Sequence, residues 1–453
     1  VNPEIFREYD IRGVADSDLS SSCVFKIGYA FAEYIKESPI VISGDIRLST
    51  ERIRRELISS ILNSGIDVID LGVLPTPIFY FFLHQNKIPG GIQITASHNP
   101  KEYNGFKLCR GKDSLFGEEI KRIGRIAKRG KFIKKPGGKY SFFDVVPSYI
   151  KTIKEKIKLG KRPLKVVIDC GNGCAGIVAP RLLKEFGLDV IALFEKPDGN
   201  FPVHLPDPIV PENLTYLIDV VKKEGADLGI GYDGDCDRIG VVDEKGNIIF
   251  GDSLMILFLR EILPKYPGAA IPIEVKCSKV LFDEAKKLGG NPFFYKTGHS
   301  LIKAKMKEIN APFAGEMSGH LFFADEYFGF DDGIYASLRL LRLLSNTDKA
   351  LSDLFKDIPK YPITPEIKIT CPDNKKRAVI SDISRYFKKV YPCIDVDGVR
   401  VLFEGGWALI RKSNTTPKII LRFEAETEER LKEIKEIVFK KLYEYPEIIW
   451  DKG

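Results

Sequence analysis

Three carboxylates alternate with small residues in Asp233-Gly234-Asp235-Cys236-Asp237, and Arg238 closes the run. In an extended loop this alternation turns three oxygens to one side, and Gly234 lets the backbone wrap closely. Three hard oxygen ligands suit Mg2+, which also takes phosphate or water into its shell. Arg238 adds a fork for a phosphate oxygen. The plainer reading is a polar turn between strands at 228–232 and 239–242. Carboxylates this close repel one another, however, and a cation relieves that repulsion. No Glu stands at the offset of a calcium helix-loop-helix.

A second loop, Ala96-Ser97-His98-Asn99-Pro100, follows the apolar run 91–95. A serine at the tip of a strand is well placed to act as a nucleophile. A capped surface turn is the alternative. No G-x-S-x-G elbow occurs, so an esterase is disfavoured. Glu316, Ser318 and His320 in GEMSGH can hydrogen-bond sugar hydroxyls, and Lys296-Thr297-Gly298-His299 puts His299 at a helix start, where a histidine pKa is lowered. Arg411-Lys412-Ser413-Asn414-Thr415-Thr416-Pro417 offers a guanidinium, hydroxyls and backbone N–H groups to a phosphate. GNGCAG at 171–176 matches G-x-G-x-x-G, but Glu195 is the nearest acid after the next strand. Close glycine packing is therefore preferred to a nicotinamide site.

The elements that must position these loops alternate. Helical spacing at 20–37 precedes a strand at 39–43. A helix at 50–63, with Ser49 as its expected N-cap, precedes a strand at 67–71. The pattern restarts at 164 and again at 251. Beyond Pro359, Pro362 and Pro365 come strand-like runs at 399–403, 407–411 and 418–423, then a helix at 426–441. The expected fold class is α/β: three similar α/β domains with mixed sheets plus a smaller C-terminal α+β domain. The expected bounds are 1–145 with the serine loop, 146–250 with the carboxylate loop, 251–362 with the GEMSGH loop and 363–453 with the phosphate loop.

Composition narrows the class. The net charge of +7 over 453 residues suits an anionic substrate and does not by itself indicate nucleic acid. No apolar run approaches a membrane span. Eight scattered cysteines read as free thiols of a cytoplasmic chain, and Cys170 and Cys174 lack a second pair for zinc.

At YDIRG (9–13), TASHNP (95–100), DGDCDR (233–238), GEMSGH (315–320) and RKSNTTP (411–417) the chain resembles the phosphohexomutase family. The likeness runs over essentially the whole sequence, and is stronger to the phosphomannomutase/phosphoglucomutase branch. The resemblance implies four domains around a central cleft and an intramolecular phosphotransfer. Hexose 1-phosphate and hexose 6-phosphate, of mannose and/or glucose, would interconvert through a phosphoserine at Ser97 and a hexose 1,6-bisphosphate. It implies magnesium on Asp233, Asp235, Asp237 and the phosphorylated Ser97. Glu316 and Ser318 would bind sugar hydroxyls, and Arg411, Ser413, Asn414 and Thr415 the non-reacting phosphate. Tyr9, Arg12, Lys107, Arg238, Lys276 and His299 match its remaining site residues. Lys107, His299 and His320 are the unranked candidates for acid and base. Met317 argues against the glucosamine-phosphate branch, which usually has glutamine there. A phosphoglucosamine mutase and a non-catalytic sugar-phosphate-binding protein are the alternatives. The expected assembly is a monomer or small homo-oligomer, with a phosphorylated hexose as partner and neither nucleic acid nor membrane.

Overall fold

The computed structural model describes residues 1–132, 135, 137–413 and 416–450. The chain divides into two compact units. The first is Val1–Ile262 with His299–Phe355, and the second is Leu263–Gly298 with Lys356–Gly453. Residues 251–362, expected as one domain, contribute to both.

The first unit opens on a seven-stranded mixed sheet. Its order is Ile11–Val14, Tyr103–Arg110, Gly90–Ile94, Ile40–Gly44, Val68–Val73, Tyr140–Phe142, with Asp113–Ser114 added beside Tyr103–Arg110. Ile40–Gly44 pairs in parallel with both neighbours, and both it and Gly90–Ile94 are buried throughout. That is why these strands read as unbroken apolar runs rather than alternating ones. Tyr103–Arg110 returns antiparallel to Gly90–Ile94. It brings Lys107 into the sheet directly behind the serine loop.

A second sheet has the order Ile248–Ile249, Ile239–Asp243, Leu228–Tyr232, Lys165–Asp169, Asp189–Leu193. Leu228–Tyr232 is parallel to Lys165–Asp169 and antiparallel to Ile239–Asp243. The carboxylate run is therefore the turn of a hairpin at the carboxyl end of a parallel strand, where open α/β sheets place ligands. A second hairpin, Phe313–Gly315 with Leu321–Phe323, carries Glu316–His320 at its turn.

In the second unit, Ala270–Glu274 pairs in parallel with Asn291–Tyr295. A five-stranded antiparallel sheet runs Ile367–Thr370, Lys418–Ala425, Gly406–Lys412, Val399–Phe403, Cys393–Ile394. Helices Asp373–Lys388 and Glu428–Leu442 pack on it, burying Ile383, Phe387, Ile434 and Val438 among others. Thr427 caps the second of these, accepting from the Arg430 amide at 3.1 Å.

Three features depart from the sequence reading. Ser49 does not cap its helix: its backbone is helical and its hydroxyl accepts from Asn104 Nδ2 at 2.8 Å. Helix Asp373–Lys388 was hidden behind the proline cluster. Helix Glu118–Arg129 was hidden by its charge, since only Ile120, Ile123 and Ala127 are buried. All eight cysteines are free, and all but Cys393 are buried. Among the described residues, no helix is long and apolar enough to cross a membrane.

Candidate active site

Ser97 follows strand Gly90–Ile94 in a left-handed backbone conformation, φ +49°, which a non-glycine residue adopts only when its surroundings enforce it. Two contacts do so. The Ser97 amide donates to Thr95 Oγ1 at 2.9 Å. The buried Arg47 guanidinium donates to the carbonyls of Ser97, Asn99, Pro100 and Tyr103. The hydroxyl is thereby aimed at the carboxylate turn. Ser97 Oγ donates to Asp233 Oδ2 at 2.6 Å, and His98 Nδ1 lies 3.0 Å from Ser97 Oγ. Gly234 makes this approach possible, because a Cβ there would lie 2.4 Å from the Ser97 carbonyl.

The carboxylate turn is fully buried. Asp233, Asp235 and Asp237 have no exposed surface, and their ligand oxygens lie within 4.8 Å of one another. Asp233 Oδ1 accepts from the amides of Asp237 and Arg238, which folds the turn around its own side chain. Gly173 and Cys174 of the GNGCAG turn back it from below, the Cys174 amide donating to the Gly234 carbonyl at 3.0 Å. That is close glycine packing of the kind expected from the sequence. Lys107 Nζ donates to Asp235 at 2.8 Å and to Asp237, and Thr76 Oγ1 donates to Asp235 at 2.7 Å.

The Lys107 ammonium and the Arg238 guanidinium, 4.0 Å from Asp233, do not balance three carboxylates. Burial, then the repulsion of Asp237 and Asp235, raise the Asp233 pKa well above the usual carboxylate range. Burial acts the same way on Asp235, but the Lys107 ammonium outweighs it and brings that group below its ordinary value. Lys107 is depressed by burial and raised further by the two aspartates, so it stays charged. Asp235 Oδ1 and Asp237 Oδ1 are buried with no hydrogen-bond partner. Two orphaned hard oxygens beside a third, in a dry pocket with excess negative charge, fit a divalent cation of the magnesium type.

Around this turn stand the basic and imidazole groups. Arg238 Nε donates to His320 Nε2 at 2.8 Å. The GEMSGH turn is tied to the carboxylate hairpin through its backbone, with the Ile239 amide donating to the Gly319 carbonyl. Gly319 has φ +89°, and a Cβ on it would overlap the Ile239 carbonyl. Glu316 and Ser318 are buried beside it. His299 and His320 stack with ring centroids 5.4 Å apart, and Tyr9 meets His299 edge-on at 6.5 Å. His299 is lowered to about 4, by burial first and then by the Lys303 ammonium. Arg12 donates to Asn99 Oδ1 at 2.8 Å and pairs with Asp10.

Comparison with known proteins decides the family. Phosphoglucomutase/phosphomannomutase models match in four consecutive pieces: alpha/beta/alpha domain I at residues 3–134, domain II at 147–246, domain III at 250–361 and the C-terminal domain at 366–441. The chain belongs to the phosphoglucomutase/phosphomannomutase family. It is 44% identical over 438 residues to the phosphomannomutase/phosphoglucomutase of Pseudomonas aeruginosa, covering 96% of this chain and 94% of that one. It is 39% identical over 457 residues to the phosphoglucomutase of Neisseria gonorrhoeae, covering 99% of each. A crystal structure of a phosphoglucomutase/phosphomannomutase family protein from Burkholderia thailandensis superposes with a TM-score of 0.92 at 38% identity, covering 98% of each chain. The protein is an enzyme of the phosphohexomutase type, carrying out intramolecular phosphotransfer on hexose phosphates.

Within this phosphohexomutase the first unit gathers Tyr9, Arg12, Ser97, Lys107, Asp233, Asp235, Asp237, Arg238, His299, Glu316, Ser318 and His320. Lys276, Arg411 and Ser413 belong to the second unit. There Lys276 Nζ lies 3.1 Å from Glu274 and 2.9 Å from Glu366, and Arg411 engages Asp397 at 2.8 and 3.0 Å. Ser413 Oγ accepts from the amide and hydroxyl of Thr416. Asn414 and Thr415 lie outside the described residues.

Several supporting residues escaped the sequence reading. Arg47 pins the serine loop. Lys376 donates to the carbonyls of Ser413 and Thr416 at 2.7 and 2.8 Å. Asp331 and Lys303 lie behind the two histidines. Only Arg47 had a sequence signal, as a basic residue two positions after a strand-end aspartate.

Proposed function

We propose that this enzyme interconverts hexose 1-phosphate and hexose 6-phosphate, of mannose and/or glucose, with Ser97 as the phosphate carrier and a hexose 1,6-bisphosphate as the intermediate. The observation that carries the proposal is the 2.6 Å hydrogen bond from Ser97 Oγ into a buried group of three aspartates. A serine placed only to cap a turn has no reason to point at three metal-competent carboxylates. Asp233, Asp235 and Asp237, with an oxygen of the phosphorylated Ser97, would hold magnesium, which when bound supplies positive charge to the transferring phosphoryl group.

The chain's own groups then have separate tasks. Lys107, held charged between Asp235 and Asp237, serves as the acid that protonates the departing serine oxygen. His320 serves as the base for the attacking sugar hydroxyl, through Nε2. That nitrogen accepts from Arg238 at rest, so a phosphate that draws the guanidinium away also frees the base. Glu316 and Ser318 bind hydroxyls shared by the two sugars. His299, Tyr9 and Arg12 line the same loops. In the second unit Lys276, Arg411 and Ser413, with Asn414 and Thr415, bind the phosphate that does not react. The relatives' names support mannose and glucose phosphates as the substrates.

Replacing Ser97 with alanine tests this. Turnover of mannose 1-phosphate and glucose 1-phosphate should fall to background with the fold intact, because losing the buried hydroxyl and its bond to Asp233 costs only about 1–3 kcal/mol. A Ser97→Ala enzyme that keeps more than a few per cent of its rate contradicts the carrier role.

A further inference from the structure

Thr76 opens helix Thr76–Gln85 between two prolines, Pro75 and Pro77, and has no exposed surface. Pro75 at the N-cap brings no side-chain cap, and a helix start leaves its first amides without partners inside the helix. Both donors of Thr76 go instead to one residue 159 positions away, Asp235. The Thr76 amide donates to the Asp235 carbonyl at 2.9 Å, and the hydroxyl donates to Asp235 Oδ2 at 2.7 Å.

An ionised carboxylate has about two acceptor positions on each oxygen. On Asp235 Oδ2 both are taken, one by Thr76 and one by Lys107 Nζ at 2.8 Å. Asp235 Oδ1 is buried and accepts nothing. The carboxylate is thus divided into a filled oxygen and an open one. Lys107 by itself does not divide it. That ammonium is shared with Asp237 and takes one position on each carboxylate, which leaves the second position of Asp235 Oδ2 to Thr76. Asp233 is held differently: two backbone amides fill its Oδ1, and Ser97 donates to its Oδ2.

The number of oxygens a carboxylate can offer separates the two common hard cations. Magnesium takes about six ligands in a near-ideal octahedron, whereas calcium takes about six to eight at longer range and accepts both oxygens of one carboxylate. We propose that Thr76 determines the cation specificity of the carboxylate turn. Its hydroxyl closes Asp235 Oδ2, so Asp235 offers a cation Oδ1 alone, and the turn takes magnesium in preference to calcium. Thr76 acts through Asp235 and is a positioning residue. The proposal rests on the reading of Asp233, Asp235 and Asp237 as the cation's ligands.

Binding of Mn2+ to the substrate-free enzyme, followed by the EPR signal of the free ion and competed with MgCl2 or CaCl2, tests this without turnover. Thr76→Val removes the hydroxyl and keeps the branched shape. It should lower the ratio of magnesium to calcium affinity about tenfold, the lower end of what losing a ligand's supporting partner costs. Thr76→Ala should shift the ratio in the same direction, so the result does not depend on how one variant folds. Thr76→Ser keeps the donor and should keep the wild-type ratio. A residue that only stabilises the fold would lower the melting temperature and weaken both cations by the same factor. An unchanged ratio in Thr76→Val and Thr76→Ala, whatever their melting temperatures, overturns the proposal. So does a Thr76→Ser enzyme whose ratio shifts as far as that of Thr76→Val. Asp235→Asn reports on the underlying reading, and should weaken Mn2+ binding about tenfold or more. If it binds Mn2+ as the wild type does, the turn is not the cation site and both readings fail. An unchanged ratio with weakened Asp235→Asn binding overturns the role of Thr76 alone.

Discussion

The two regions that carry the site residues handle buried charge in opposite ways. In the first unit acids are at the centre. Asp233, Asp235 and Asp237 crowd one turn, and mutual repulsion adds to burial in raising the Asp233 pKa. In the second unit cations are at the centre. Lys276 sits between Glu274 and Glu366, and its ammonium pulls the Glu366 pKa down to about 2. Arg411 is likewise held on Asp397. The first region is short of positive charge and gains by taking in a cation. The second already holds its cations in place, as suits groups that grip an anion without reorganising.

The largest effect should follow from removing metal. Exhaustive chelation should abolish turnover, and magnesium should restore it, since Lys107 and Arg238 leave three carboxylates one positive charge short. Full activity in excess chelator would show that Lys107 and Arg238 suffice without a metal. A smaller effect is expected in the second region. Arg411→Ala removes charge-assisted hydrogen bonds worth about 1.5–3 kcal/mol, or roughly 10- to 100-fold in the KM for the monophosphate. Steady-state kinetics on both 1-phosphates reads this directly, and an unchanged KM with normal kcat would exclude Arg411 from phosphate binding.

The smallest effect separates the two regions by pH. Glu366 has a depressed pKa, so its contribution to stability is present above about pH 4.3, the unfolded value, and is lost as pH falls toward about 2. Glu366→Gln should cost at most about 3 kcal/mol at pH 7, and the gap to wild type should shrink on acidification. Urea unfolding at pH 7 and at pH 3.5 measures both. A gap that widens in acid would mean that Lys276 does not hold Glu366 ionised.

What was legible in the sequence follows from the range of each interaction. The carboxylate turn, the serine loop and the GEMSGH turn are local. Each lies between apolar runs, and each was found at the tip of a strand or hairpin. The α/β alternation was legible for the same reason, since buried parallel strands are short unbroken apolar runs. What remained hidden depends on distant pairing. Lys107 reaches Asp235 across 128 residues of chain. Lys303 reads as one more lysine on an amphipathic helix until the fold sets it 2.9 Å from Asp331. Asp331 lies two residues before helix Gly333–Ser345, with Oδ2 2.9 Å from His320 Nδ1 and 3.4 Å from His299 Nδ1. Pairings of this kind leave no periodicity to read.

The central claim is that Ser97 carries the phosphate. The most direct test is to incubate the enzyme with glucose 1,6-bisphosphate labelled in its phosphates, digest it, and weigh the peptide that contains Ser97. The account predicts one transferred phosphoryl group, about 80 mass units, on Ser97 alone. It should be lost again when glucose 1-phosphate or mannose 1-phosphate is added. An unmodified Ser97 peptide, or a label on another residue that turns over with substrate, would contradict it.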